Sequence, residues 1–71
     1  MKIPRPTVYG KVNGNVFAII AAARETLNKA HMSWRGKEMV RRALAAKSYD
    51  HALSILQEYV QFELAPAKEN E

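Results

Sequence analysis

Hydrophobic residues recur at spacings of three and four over most of the chain, which is the period of an amphipathic α-helix. They form three separate stripes, interrupted at residues 31–38 and 45–51 by mostly polar stretches. The stripes are Val16, Ile20, Ala23, Leu27 and Ala30; then Met39, Val40, Ala43 and Leu44; then Ala52, Leu53, Leu56, Tyr59 and Val60. Phe17 and Ile19 widen the first stripe, and Ile55 lies beside the third. The pattern therefore predicts three helices.

Short polar residues mark where these helices begin, because their side-chain oxygens accept hydrogen bonds from the free amides of a first turn. The predicted caps are Asn13 or Asn15, then Ser33, then Ser48. We expect the first helix to end near His31 and the third to run out around residues 61–62.

The two ends of the chain are predicted to be extended. Pro4 and Pro6 disfavour a helix before residue 12, and Thr7–Tyr9 has β-favouring chemistry. Residues 61–64 could pair with that stretch as a short strand. The fold class is thus mainly α, a compact three-helix domain with a short two-stranded pairing of the terminal segments left open. Its parts are an arm or short strand over 1–12, the helical domain over 13–64 and a frayed tail over 65–71.

Length and composition narrow the class of protein further. The 71 residues suffice for one domain, and the absence of cysteine excludes disulfides and thiolate metal sites. The longest nearly apolar run, residues 16–23, is far shorter than the roughly 20 residues of a membrane span. No targeting segment is visible, so a cytoplasmic location is expected. A small core without covalent staples often gains stability by oligomerising, which makes a homodimer a live hypothesis.

Charge is unevenly distributed around the net +4 of the chain. Residues 1–12 carry +3, residues 24–47 carry +5 and residues 48–71 carry −4. This asymmetry can steer a polyanion to one face, or pair the basic part of one protomer with the acidic part of another. The candidate anion or nucleic-acid contacts are one aromatic residue among cations: Arg5, Lys11, Trp34, Arg35, Lys37, Arg41 and Arg42. The competing interpretation is a solvated basic face with Trp34 folded over the edge of the core.

Other chemistry has weaker support in the sequence. Asp50 and His51 are adjacent, and neighbours one apart on a helix do not face each other, so we assign no catalytic residue. His31 and His51 match no metal-ligand spacing, and Gly14–Asn15 lacks the glycine-rich context of a phosphate loop. The third helix carries no Lys or Arg and would read a DNA groove poorly. No metal, cofactor or small-molecule substrate is expected.

Three short motifs carry a family resemblance. They are Gly14–Ile19, Tyr49–Leu53 and Tyr59–Val60, read as Gly-Asn-x-Phe-x-Ile, Tyr-Asp-His-x-Leu and aromatic-Val. In this order the chain resembles a group of very small bacterial and phage proteins over roughly residues 13–62. The resemblance implies a phage or mobile-element origin and brings no mechanism. The basic second helix departs from the acidic one typical of that group.

The sequence thus predicts a non-enzymatic binding or adaptor protein that associates with itself or with another protein. Its core or dimer interface is expected to be formed by Val16, Phe17, Ile20, Leu27, Met39, Val40, Leu44, Leu53, Leu56, Tyr59 and Val60. The alternative is a nucleic-acid-binding accessory protein that uses the basic second helix and the N-terminal arm.

Overall fold

Three helices follow one another along the chain, and two short strands flank them. The computed structural model describes residues 4–10, 12 and 14–63. The elements are β1 (Thr7–Val8), α1 (Val16–Lys29), α2 (Ser33–Leu44), α3 (Tyr49–Gln57) and β2 (Gln61–Phe62). Lys11, Asn13 and the predicted tail over 65–71 lie outside the described residues. The predicted fold class is confirmed, including the pairing of the terminal segments.

Two of the predicted helix caps are confirmed. The Asn15 side chain accepts a hydrogen bond from the amide of Phe17 at 2.9 Å, and the Ser48 hydroxyl accepts one from the amide of His51 at 3.0 Å. Each satisfies an amide that has no partner within its own helix.

The cap predicted at Ser33 is wrong. Met32 occupies the N-cap position of α2 and provides no side-chain hydrogen bond, while Ser33 is already the first helical residue. The reason is the tightness of the connection. The Met32 amide donates to the Leu27 carbonyl and so closes α1, and the Met32 carbonyl accepts hydrogen bonds from the amides of Arg35 and Gly36 in α2. Because Met32 serves both helices, α2 begins at the very next residue, and Ser33 lies inside the helix and not at its cap.

The end of α1 is closed by a left-handed residue. The Met32 amide donates to the Leu27 carbonyl at 2.8 Å, and the His31 amide donates to the Asn28 carbonyl at 3.1 Å. These two hydrogen bonds together define a Schellman motif. His31 takes the position that glycine usually fills, with φ of 61°. The helix therefore ends two residues before His31, near the predicted end, and Ala30 is exposed at its C-cap.

Helix α3 ends at Gln57, earlier than predicted. The hydrophobic pattern continues through Tyr59 and Val60, which stay buried although the backbone has left the helix. Their amides donate to the Leu56 carbonyl, and this turn delivers the chain into β2. There β2 pairs in parallel with β1, with Thr7 opposite Gln61 and Val8 opposite Phe62.

The core lies where the three helices and β1 meet. Its largest fully buried side chains are Ile19, Leu27, Met39, Leu56 and Val60. Of the predicted core, Val16, Val40 and Leu53 are only partly buried. Phe17 and Leu44 are 66% and 59% exposed, so they lie outside the core of the single chain, and the predicted alternative for them, a dimer interface, stays a prediction. None of the described helices has the length and apolar character to cross a membrane.

Candidate binding surfaces around the second helix

A polar network joins α2 to the turn after α3. The Arg42 guanidinium donates to both carboxylate oxygens of Glu58, at 2.7 and 3.2 Å, and to the Tyr59 hydroxyl at 2.9 Å. That hydroxyl in turn donates to Glu38 at 2.8 Å. We call these four residues, Glu38, Arg42, Glu58 and Tyr59, the Arg42 network. It commits one of the predicted anion contacts, Arg42, to a partner within the chain.

The ion pair in this network shifts the protonation equilibria of both partners. The hydrogen bond from Arg42 lowers the pKa of the Glu58 carboxyl, and the same bond, aided by Tyr59, raises the pKa of Arg42 further above its usual range. Both side chains remain about half exposed, so water screens the pair. Its geometry matters more than its energy, because the two parallel bonds fix the direction in which Arg42 points.

Arg35 is held by aromatic rings. Its guanidinium carbon lies 4.7 Å from the centroid of the Tyr59 ring and 5.6 Å from that of Trp34. Its Nε atom is buried and has no hydrogen-bond partner among the described residues. Stacking of this kind keeps the charge while limiting the motion of the side chain.

The outward side of α2 carries a different set of residues. Trp34 is 61% exposed, and Lys37 and Arg41 are exposed beside it. Spacings of three and four place the three side chains along one face of the helix. Within the described part of the chain, neither cation makes an ion pair or hydrogen bond. We call these three residues the Trp34 face.

Of the two remaining predicted contacts, the structure describes only Arg5, which bonds to a residue of α3 and not to one of α2. Arg5 donates to the carbonyl of Gln57 at 2.5 Å and so lies against the end of α3. Lys11 is outside the described residues. The structure therefore brings together Trp34, Lys37 and Arg41, with Arg35 next to Trp34. Which arginines of α2 are held within the chain depends on Glu58 and Tyr59, and the sequence carries no signal that links these two residues to α2.

A second surface lies between α1 and α2. Here the exposed Phe17 and Leu44 line a shallow groove of about 530 Å³, with Ala21 and Val40 between them. Its rim carries both signs of charge. The polar residues along it are Arg24, Glu25 and Asn28. We call this surface the Phe17–Leu44 groove. It holds the two large apolar residues that the sequence assigned to the core or to a dimer interface.

The three residues of the Tyr49–His51 stretch all have interactions within the fold. The Nδ1 atom of His51 accepts from the Lys47 amide at 3.3 Å, and Asp50 lies in the first turn of α3. Tyr49 donates to the Gly14 carbonyl at 2.6 Å and ties the start of α3 to the start of α1. In the described ranges, no three His, Asp or Glu residues cluster as metal ligands would.

Comparison with known proteins identifies no relative of this chain. No family model matches the chain, and no curated protein or solved structure matches it. The resemblance to small bacterial and phage proteins therefore stays a prediction.

Proposed function

We propose that this protein is a non-enzymatic binding module that self-associates through the Phe17–Leu44 groove. One observation carries the proposal: two large apolar side chains, Phe17 and Leu44, are mostly exposed and line the same groove. Complete burial of such a side chain contributes roughly 1.5–3 kcal/mol, and the exposure of Phe17 and Leu44 leaves more than half of that free energy unrealised for each. A partner that covers the groove recovers that free energy.

The charges on the rim favour a second copy as the occupant. In a two-fold symmetric dimer the same surface faces itself, so a rim of one sign would repel its own image. Arg24 and Glu25 are neighbours on this rim and carry opposite charges. Across a two-fold axis, Arg24 of one protomer can therefore face Glu25 of its partner, and Glu25 can face Arg24. The Trp34 face, whose charges are all positive, lacks this property.

Analytical ultracentrifugation tests the proposal. The parent protein is expected to sediment as a dimer at high concentration and to dissociate on dilution. Phe17→Ser and Leu44→Ser, singly or together, should shift the equilibrium to monomer. Tyr9→Ser is the matched control, because Tyr9 is 78% exposed and lies outside the groove.

Two results would contradict self-association through this groove. One is a parent protein that remains monomeric at every concentration. The other is a dimer that Phe17→Ser and Tyr9→Ser weaken equally, which would place the interface elsewhere.

A second candidate function is nucleic-acid binding through the Trp34 face. It is favoured by an exposed indole beside two cations, Lys37 and Arg41, that no described side chain neutralises. An aromatic ring can stack on an unpaired base while nearby cations contact phosphate, and this combination suits single strands.

Fluorescence anisotropy with labelled single-stranded and duplex oligonucleotides tests this candidate. Binding should be tighter to single strands and should weaken steeply with salt, because phosphate contacts release counterions. Lys37→Glu and Arg41→Glu should each reduce affinity strongly. Lys29→Glu, on α1, makes the same charge change outside the face and should have a smaller effect. Equal losses would show a response to net charge alone.

A further inference from the structure

The outer edge of β1 borders an open groove. This groove, of about 890 Å³, lies between β1 and the C-terminal half of α1. Thr7 and Tyr9 line it on the strand side, and Ala22, Glu25, Thr26 and Lys29 line it on the helix side. It is separate from the Phe17–Leu44 groove, since among the described residues Glu25 is the only one that lines both.

The directions of the backbone N–H and C=O groups distinguish the two edges of β1. The amides of Gln61 and Glu63 donate to the carbonyls of Pro6 and Val8, both at 2.9 Å, so these residues direct their backbone groups toward β2. Successive residues of a strand alternate in this direction. The amide and carbonyl of Thr7 therefore point away from β2, and no described residue hydrogen-bonds to them.

Proline does not protect this edge. Proteins often block an exposed strand edge with proline, which lacks an amide proton. The Pro6 carbonyl faces β2, so the position of its missing amide proton also faces β2. The donor and acceptor of Thr7 on the outer edge are thus intact and available to another strand.

The charge of the groove favours an acidic occupant. Among the described residues that line it, Arg5 and Lys29 are set against one carboxylate, that of Glu25. Glu25 and Lys29 approach only to 4.0 Å and are both well exposed, so their mutual neutralisation is weak. Arg5 bonds to a neutral backbone carbonyl and keeps its full charge.

We propose that an extended, acidic peptide segment of a partner protein binds in this groove by adding a strand to the outer edge of β1. Main-chain bonds to Thr7 supply affinity, and the side chains that alternate along the added strand select the sequence. Arg5 and Lys29 select an acidic residue. The sheet then runs from the peptide through β1 to β2. The proposal does not depend on self-association, because the dimer surface is a different one.

NMR titration tests the proposal on the full chain. The probe is a blocked peptide of alternating threonine and valine around a central glutamate. It should shift the amide resonances of Thr7, Tyr9 and Thr26 above all others. The same peptide with lysine in place of glutamate should bind more weakly, and Lys29→Glu should reverse that preference.

A proline substitution isolates the main-chain bond. Thr7→Pro removes the outward amide proton without removing a bond to β2, and should weaken peptide binding at least tenfold while the helical circular dichroism is unchanged. Thr7→Val keeps the amide and should bind as the parent does. If Thr7→Pro fails to fold, the parent protein titrated with a backbone N-methylated peptide makes the same test from the other side.

Three outcomes would overturn the proposal. They are a peptide that shifts no edge resonance, a Thr7→Pro protein that binds like the parent, and a Thr7→Pro protein that changes from dimer to monomer. The last would assign the edge to a second copy. A Phe17→Ser monomer that still binds the peptide would separate this site from the proposed dimer surface.

Discussion

Tyr59 performs two tasks that usually fall to different residues. The residue is 2% exposed and belongs to the core, while its hydroxyl accepts from Arg42 and donates to Glu38 within the Arg42 network. The face of its ring carries the Arg35 guanidinium. One side chain therefore orients two arginines of α2 from a turn that follows α3.

We expect Tyr59→Phe to reduce the free energy of unfolding by about 1 kcal/mol. The ring and its contact with Arg35 remain, but Arg42 and Glu38 both lose their bond to the hydroxyl. Urea denaturation measures the change. Tyr9→Phe, in an exposed ring, is the control and should be neutral. A loss of equal size in both variants would contradict a specific role for the Tyr59 hydroxyl.

The Arg42–Glu58 pair makes stability depend on pH. The pKa of Glu58 is lowered in the folded protein, so the unfolded chain binds its proton more readily. The contribution is therefore complete above the ordinary glutamate pKa of about 4.3 and is lost as the pH falls through the lower folded value. Thermal unfolding from pH 7 down to acid should show this loss in the parent. Glu58→Gln should show less of it, and an unchanged profile would contradict the assignment.

At the scale of the element, sequence pattern predicts where helices lie better than where they end. Asn15 and Ser48 are correct caps because a cap is local chemistry. Ser33 is not, because the preceding helix uses Met32 to close itself. The end of α3 is missed since Tyr59 and Val60 remain buried in a turn, and periodicity registers burial rather than backbone conformation.

For the candidate binding surfaces, too, sequence pattern predicts some features and misses others. The sequence offers Trp34, Arg35, Lys37, Arg41 and Arg42 together as candidate contacts. Once α2 is in place, helical geometry puts Trp34, Lys37 and Arg41 on one side of it, which is a separation that the spacing along α2 can supply. The spacing does not reveal that Arg42 is committed to Glu58, since that contact depends on a segment 16 residues away. The hydrophobic pattern also does not reveal the exposure of Phe17 and Leu44, since a helical period marks one side of a helix and not which of its residues a neighbouring element covers.

The left-handed residue between α1 and α2 gives a stability prediction at this scale. His31→Gly should raise the free energy of unfolding by up to about 1 kcal/mol, because glycine adopts a φ of 61° without steric cost. Gly10→Ala is the complementary control. Gly10 has a φ of 85°, so alanine there should destabilise the protein. Differential scanning calorimetry measures both, and a destabilised His31→Gly would indicate that the imidazole makes a contact worth more than the strain.

For the molecule as a whole, part of the charge asymmetry is used within one chain. Arg42 from the basic segment pairs with Glu58 from the acidic one, which ties α2 to the turn before β2. The pairing of basic and acidic segments therefore does not by itself require a second protomer. The proposal of self-association rests instead on the exposed side chains of the Phe17–Leu44 groove.

Self-association predicts a melting temperature that rises with protein concentration, because a dimer is favoured over unfolded monomers by mass action. Scanning calorimetry over a range of concentrations measures the effect. Phe17→Ser should remove the dependence on concentration, whereas Tyr9→Ser should keep it. A parent melting temperature that is constant across the range would contradict a folded dimer.

The parallel pairing of β1 with β2 also orders the events of folding. It joins Thr7 to Gln61, so it closes a loop that contains all three helices. Helix–helix contacts between neighbours in sequence close much shorter loops and lose less chain entropy. We therefore expect the helices to dock first and the strands to join last. Mutations at Val8 should then accelerate unfolding and leave the folding rate nearly unchanged. On this order of events, the strands pair only after the three helices have packed, and their pairing slows unfolding without speeding folding.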